Sequence, residues 1–393
     1  MAGNPYAGMA WMTMQLTAGL HRLGHDVYYM EVTSDWPYDP TRHEKVDDSA
    51  YAVSYLSRVA DSFGLAGRWG YRRSYSDNEW FGLDRATAEE RLRSADAVFN
   101  VAGATRNAKE QLPISNWIYF GTDPVLHELG YAAGTYTVQT LIDEHDACVT
   151  YGENIGTAAS PLPPLPKLVA RTRQPVLLDL WEAGSPTREH FTTVSNWKQV
   201  GLDVEFQGDT YLWSKHHEFL KFIDLPRRVS RGIELAMNLA ARKPIRDHDH
   251  EAVPAVGVEA DARDILETHG WNLVSAPDFT MDPWIYRDYV QASRGEFTVA
   301  RDLNVRLRSG WFSERSACYL AAGRPVITQN TGFDTVLPVG NGLFSFTTME
   351  EILAAFDAIE TNYEHHSRAA REIAEQHFAA EVVLPKLLHD LGL

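Results

Sequence analysis

The chain has 393 residues, 44% hydrophobic and 23% charged, a length too great for one ordinary core, so two domains are expected. Its formal net charge of −17 excludes broad nucleic-acid binding by phosphate neutralisation, while leaving room for one small basic pocket. No apolar run reaches the ~18 residues of a membrane span, no signal peptide opens the chain, and two cysteines in apolar surroundings, Cys148 and Cys318, suit a reduced, cytoplasmic protein without disulfide or zinc site.

Gly3-Asn4-Pro5-Tyr6-Ala7-Gly8 is a glycine-containing loop where a ligand could approach the backbone, so Gly3, Asn4 and Gly8 are acceptor-side candidates. Its spacing does not fit the GxGxxG dinucleotide fingerprint. A helix follows, with Met12, Leu16, Leu20 and Leu23 down one side and Gly24 as its stop. Asp26 to Met30 then reads as a strand. Loop, helix and strand of this kind normally follow a first strand in a doubly wound sheet. The expectation is an empty strand slot beside residues 26–30 and 97–101, from a start placed late in the gene or a trimmed chain. Helices are expected over Tyr51–Phe63 and Thr87–Ser94. Strands are expected at Ala97–Val101, Trp117–Phe120 and Ala147–Tyr151. Asp123 and His127 follow the second of these and are the candidate catalytic residues. A histidine near neutrality could take a proton from an acceptor hydroxyl.

Residues 156–175 hold five of the chain's 19 prolines and are the linker candidate. They divide an N-terminal domain, 1–160, from a C-terminal one, 176–365; helices over 366–393 could cross back to the first. In the second domain Phe191–Val194 reads as a strand, followed at the sheet's ligand edge by Ser195, Asn196, Trp197 and Lys198. Lys215-His216-His217 opens a helix carrying Phe219 and Leu220. Asp247-His248-Asp249-His250 reads as a solvated loop rather than a metal site. Trp271–Val274 and Glu296–Val299 read as strands, and Thr348 with Glu351 as a capping box before Ile352.

The densest signal runs from Arg301 to Phe333. Ser313 can cap a helix with Glu314 in its first turn, Ala317, Leu320 and Ala321 form its apolar face, and Gly323 and Pro325 end it. Val326-Ile327-Thr328 is a short buried strand, and Thr331-Gly332 its turn. Arg301, Arg306, Arg308 and Arg315 surround the loop Ser309-Gly310-Trp311-Phe312-Ser313. Backbone amides at a helix N-terminus together with guanidinium groups suit a phosphate or diphosphate.

This segment resembles the donor-binding unit of GT-B glycosyltransferases. The retaining branch of that family carries Glu-x-Phe-Gly-x4-Glu-Ala, then Ala-Gly-Lys-Pro-Val. Here Phe312 and Gly323-Arg324-Pro325-Val326 match, while Gly310 and Cys318 stand where the two glutamates would be. Arg315, three residues before Cys318, resembles the Arg-x-x-Glu of the CgeB-like branch, without its Glu. The resemblance implies an α/β protein of two Rossmann-like domains facing across a cleft. It implies glycosyl transfer from a nucleotide-diphosphate sugar, as co-substrate, to a small-molecule or glycan acceptor, with no metal and no cofactor. The donor-binding candidates it implies are Ser195, Asn196, Lys198, Lys215, Arg308, Ser309, Gly310, Trp311, Phe312, Ser313, Arg315, Gln329, Thr331 and Gly332. A non-catalytic nucleotide- or glycan-binding protein and a sugar-nucleotide epimerase of the same architecture remain open, as does the stereochemical course.

Overall fold

The computed structural model describes residues 1–106, 112–199, 201–238 and 260–393. The Asp247–His250 run lies outside them. The second lobe holds a six-stranded, wholly parallel sheet. Its spatial order is Asn272–Ser275, Ile233–Met237, Phe191–Val194, Gly295–Thr298, Val326–Gln329 and Leu343–Phe346. Numbered along the chain that is 3-2-1-4-5-6, the doubly wound order. Such a sheet places its ligand crevice outside the carboxyl ends of the strands where the order reverses, here between Phe191–Val194 and Gly295–Thr298. Helices cover both faces, so the central strands are buried on both sides; Ile233 to Met237 is buried throughout.

The strands of the first lobe fall in two pieces. Tyr29–Thr33 pairs with Trp69–Arg73 in parallel, and Trp80–Gly82 joins antiparallel. Val98–Val101, Trp117–Gly121, Ala147–Thr150 and Leu168–Arg171 form a separate parallel sheet. No strand among the described residues lies between the two pieces. The Thr105 hydroxyl bridges them, donating to the Val32 carbonyl at 2.9 Å. Beside this place the Met1 ammonium and the Ala2 amide donate to Glu31 at 2.7 and 2.6 Å.

Two expectations are corrected here. Leu168–Arg171 is a strand of the first lobe's sheet, so that lobe reaches past residue 160. The proline-rich segment 156–175 is also tied to both lobes rather than hanging as a hinge. Leu162 and Leu165 are buried, the Ser160 hydroxyl donates to the Leu307 carbonyl at 2.6 Å, and the Gln174 amide donates to the Phe312 carbonyl at 2.6 Å. Proline here stiffens a packed connection.

The lobes share one apolar core. The helix Ala7–Arg22 is buried along most of its length, since it packs on Pro283–Ala292 and Glu314–Ala321 of the second lobe and on Ala380–Leu391. Trp11 lies against Phe63, Trp181 and Trp284, and its indole donates to the Pro283 carbonyl at 2.8 Å. The last helix, Ala380–Leu391, lies on this opening helix and on Leu168–Arg171. A side chain at Gly19 would meet Leu384 at 2.7 Å, so glycine sets how closely the two helices approach.

Candidate active site

The helix Glu314–Ala321 starts at the switch point of the second sheet. Arg315 in its first turn spans both strands there. Its Nε donates to Glu296 at 2.5 Å, Nη1 to the Val194 carbonyl at 2.8 Å and Nη2 to the Thr298 hydroxyl at 2.9 Å. Glu296 is fully buried, and its second carboxylate oxygen has no partner among the described residues. Burial lowers the guanidinium's proton affinity, but Glu296 outweighs it and raises Arg315 above its ordinary value. The guanidinium is therefore committed to the protein, not held free for a phosphate.

Beside it lies a narrow crevice of about 10 Å³, lined by Lys215, Thr298, Ala300, Ser313, Arg315 and Thr331, among others. The Lys215 ammonium has no hydrogen bond or ion pair among the described residues. Burial, then the Arg315 and Arg301 charges, push it well below the ordinary lysine value. The amides of Ser313, Glu314 and Arg315 likewise find no acceptor among the described residues. Ser313 occupies the cap position, but its side chain makes no capping bond, contrary to the sequence expectation. One unpartnered cation thus shares a crevice at the sheet's carboxyl edge with Ser313 and Arg315, whose amides have no acceptor among the described residues, an arrangement suited to an anion.

Much of the remaining predicted donor set binds the lobes together instead. Asn154 of the first lobe donates to the carbonyls of Arg308 and Gly332 at 3.1 and 2.9 Å, and its own amide donates to Ser309 at 3.1 Å. Gly310 and Gly332 have φ of +76° and +90°, and a Cβ at either would lie 2.7 or 2.6 Å from Asn154. Glycine is required at both places by this close approach. Ser309 is buried and donates to Asn304 at 2.7 Å; Phe312 packs on Phe333 and Phe378. The Gln329 amide donates to buried Glu218 at 2.6 Å, and Thr331 donates to the Trp311 carbonyl at 2.5 Å. Trp311 reaches across to the Thr122 carbonyl at 3.2 Å. Arg308 is 3.7 Å from Asp334, and Ser195 donates to the Asn196 carbonyl at the exposed end of its strand. Lys198 is half-buried nearby.

On the first lobe, Asp123 is paired with Arg301 of the second at 2.6 and 2.7 Å. Arg301 in turn stacks on Trp213, 3.6 Å from the ring centre. Asp123 is thereby a clamp across the seam and not an unengaged base. His127 is half-buried, and its Nδ1 meets the Tyr119 hydroxyl. Gly8 falls inside the opening helix, and no atom lies within 4 Å of where a side chain at Gly3 or Gly8 would sit. Asn4 is exposed. No group of three or more metal-ligating side chains exists among the described residues.

Sequence reading missed Asn154, Glu296, Tyr119 and Trp213. A glutamate inside the apolar run Glu296–Val299 was the available signal, because a charge at a buried strand position needs a partner. It also missed Glu314 as a half-buried acid. Its carboxylate accepts from Gln15 at 3.0 Å and from the Cys318 thiol at 3.1 Å, and burial pushes it up to about 7. Folding therefore holds a proton that the unfolded chain releases near pH 4.5, and stability falls as pH rises from there to about 7. Glu314→Gln keeps both acceptor contacts and removes the charge. It should leave the urea midpoint nearly unchanged at pH 5 and add up to roughly 3 kcal/mol at pH 8. An equal effect at both pH values would contradict the assignment.

No protein-family model matches this chain, and no curated protein sequence matches it. Solved structures do. HepE from Anabaena in complex with UDP-glucose aligns with a TM-score of 0.50 at 10% identity, over 93% of this chain and 98% of that one. AviGT4, a glycosyltransferase involved in avilamycin A biosynthesis, aligns at 0.49 and 12% identity, over 97% and 88%. TarM aligns at 0.44 and 10% identity over 72% of this chain and 51% of that one, so this chain spans about half of TarM's length. At these identities the likeness concerns fold. Together with the strand order, it makes this chain a two-lobed α/β protein of the GT-B fold.

Proposed function

We propose that this protein is a glycosyltransferase that takes its sugar from a nucleoside-diphosphate sugar. The observation that carries the reading is the unpartnered Lys215 ammonium sharing a crevice at the switch point with Ser313 and Arg315, at an open helix start. Breaking the bond between the anomeric carbon and the diphosphate oxygen leaves negative charge on the diphosphate. Fixed donors aimed at that charge lower the barrier most where water is excluded. Lys215 and the amides of Ser313 and Arg315 supply such donors, and Arg315 holds the helix start in place through Glu296 and the Val194 carbonyl. The crevice itself measures only about 10 Å³, room for about one water, so in this reading the diphosphate sits at its mouth and sugar and nucleoside extend along the seam. The acceptor enters from the first lobe. That HepE was crystallised with UDP-glucose is compatible with this reading. No metal is assigned a part.

Incubation with a panel of nucleoside-diphosphate sugars, with and without simple glycan acceptors, tests the reading. Release of nucleoside diphosphate dependent on acceptor supports it. Turnover of a single sugar nucleotide with no acceptor indicates an epimerase, and tight binding without turnover a non-catalytic protein.

A further inference from the structure

His127 was expected from sequence to act as a base; its surroundings give it the opposite proton. Tyr119 is 2% exposed, and its hydroxyl has His127 Nδ1 as its one partner among the described residues. A buried phenol that does not donate loses a strong hydrogen bond, whereas an unfilled lone pair costs less. Tyr119 therefore donates, Nδ1 accepts, and the ring proton of His127 sits on Nε2. Gly103 and Gly121 leave room for this phenol, since a Cβ at either would meet its ring at 3.0 Å. His145, whose ring also packs edge-on against Tyr119, is the internal contrast. Its Nδ1 lies 2.6 Å from the Leu141 carbonyl, which can only accept, and its Nε2 is 3.0 Å from the Asn100 amide. His145 must carry its proton on Nδ1.

The turn that holds His127 is over-determined. Val125 has φ of +97°, a conformation that a β-branched residue adopts only under constraint, and its amide donates to buried Glu128 at 2.7 Å. Burial, then the Arg106 charge, lower the proton affinity of His127, and Asp123 opposes them in part. The ring is thus neutral near pH 7. His127 lies on the helix that follows Asp123, the residue paired with Arg301 of the second lobe, and that helix packs on Val204–Phe206, which places the imidazole by the seam between the lobes.

We infer that His127 is a neutral hydrogen-bond donor, offering Nε2–H to a lone-pair oxygen of the glycosyl ligand, with Tyr119 as the positioning residue that fixes its tautomer. The ligand's identity rests on the proposed transferase reading; the tautomer does not. Long-range ¹⁵N–¹H spectra of the histidine rings in the full chain at pH 7 test it without any substrate. His127 should show a protonated Nε2 and bare Nδ1, with His145 reversed, and Tyr119→Phe should return His127 to a tautomer mixture. In turnover, His127→Gln places an amide N–H near the position of Nε2 and should stay within about threefold of the parent. His127→Glu, which offers a base, should lose about tenfold or more, the size of one hydrogen bond together with a misplaced charge. A proton on Nδ1 of His127, no tautomer change in Tyr119→Phe, or His127→Glu outperforming His127→Gln would overturn the inference. Absence of any transferase activity alongside the expected spectra would overturn the ligand and leave the tautomer standing.

Discussion

Arg315→Ala is expected to lower folding stability by about 3–5 kcal/mol, the range for stripping one partner from a buried ion pair. Glu296 is fully buried and already has one oxygen without a partner, so loss of Arg315 leaves a carboxylate with no counter-charge in the sheet. The Val194 carbonyl loses the Arg315 donor in the same step, and the Thr298 hydroxyl keeps only Thr193 as donor. Removing both charges should be far milder. The double variant Arg315→Met, Glu296→Leu should recover most of the loss, because the apolar pair has no charge to desolvate. Urea unfolding of the parent, the single and the double variant measures this. A loss below about 1 kcal/mol for Arg315→Ala, typical of a surface pair, would show that the guanidinium is free for a ligand after all.

Lys215→Met carries the second large effect, on binding rather than on stability. The stem is kept and the ammonium, which has no protein partner among the described residues, is removed. A charge-assisted hydrogen bond to phosphate is worth roughly 1.5–3 kcal/mol, or about a 10- to 150-fold change in affinity. The melting temperature should hold, since Lys215 is half-buried and its ammonium has no protein partner to lose among the described residues.

The sequence carried the architecture well and the contacts less well. Periodicity and glycine stops located the helices Ala7–Arg22 and Glu314–Ala321 and most strands of both sheets. Ile233–Met237 and Leu343–Phe346 were missed, since short apolar runs without turn signals look alike. Leu168–Arg171 was hidden by neighbouring prolines that read as a linker. In the site, residue types pointed to the right region and to the wrong assignment within it. Gly310 and Gly332 read as ligand loops, because a glycine required by Asn154, far away in sequence, looks the same as one required by a phosphate. Arg315 read as a phosphate ligand because its carboxylate partner lies on another strand. Lys215 was a donor-binding candidate with nothing in the sequence to set it above Lys198. Only the fold shows it enclosed beside two arginines.

Calorimetric titration of nucleoside diphosphates into the parent and Lys215→Met tests the central claim most directly. A bound diphosphate gives the Lys215 ammonium a counter-charge and should raise it from its lowered value. The account predicts that at least one nucleoside diphosphate binds the parent. It further predicts that Lys215→Met weakens that binding by about 10- to 150-fold, at an undiminished melting temperature. Equal binding by both proteins, or no nucleoside diphosphate bound by the folded parent, would contradict it.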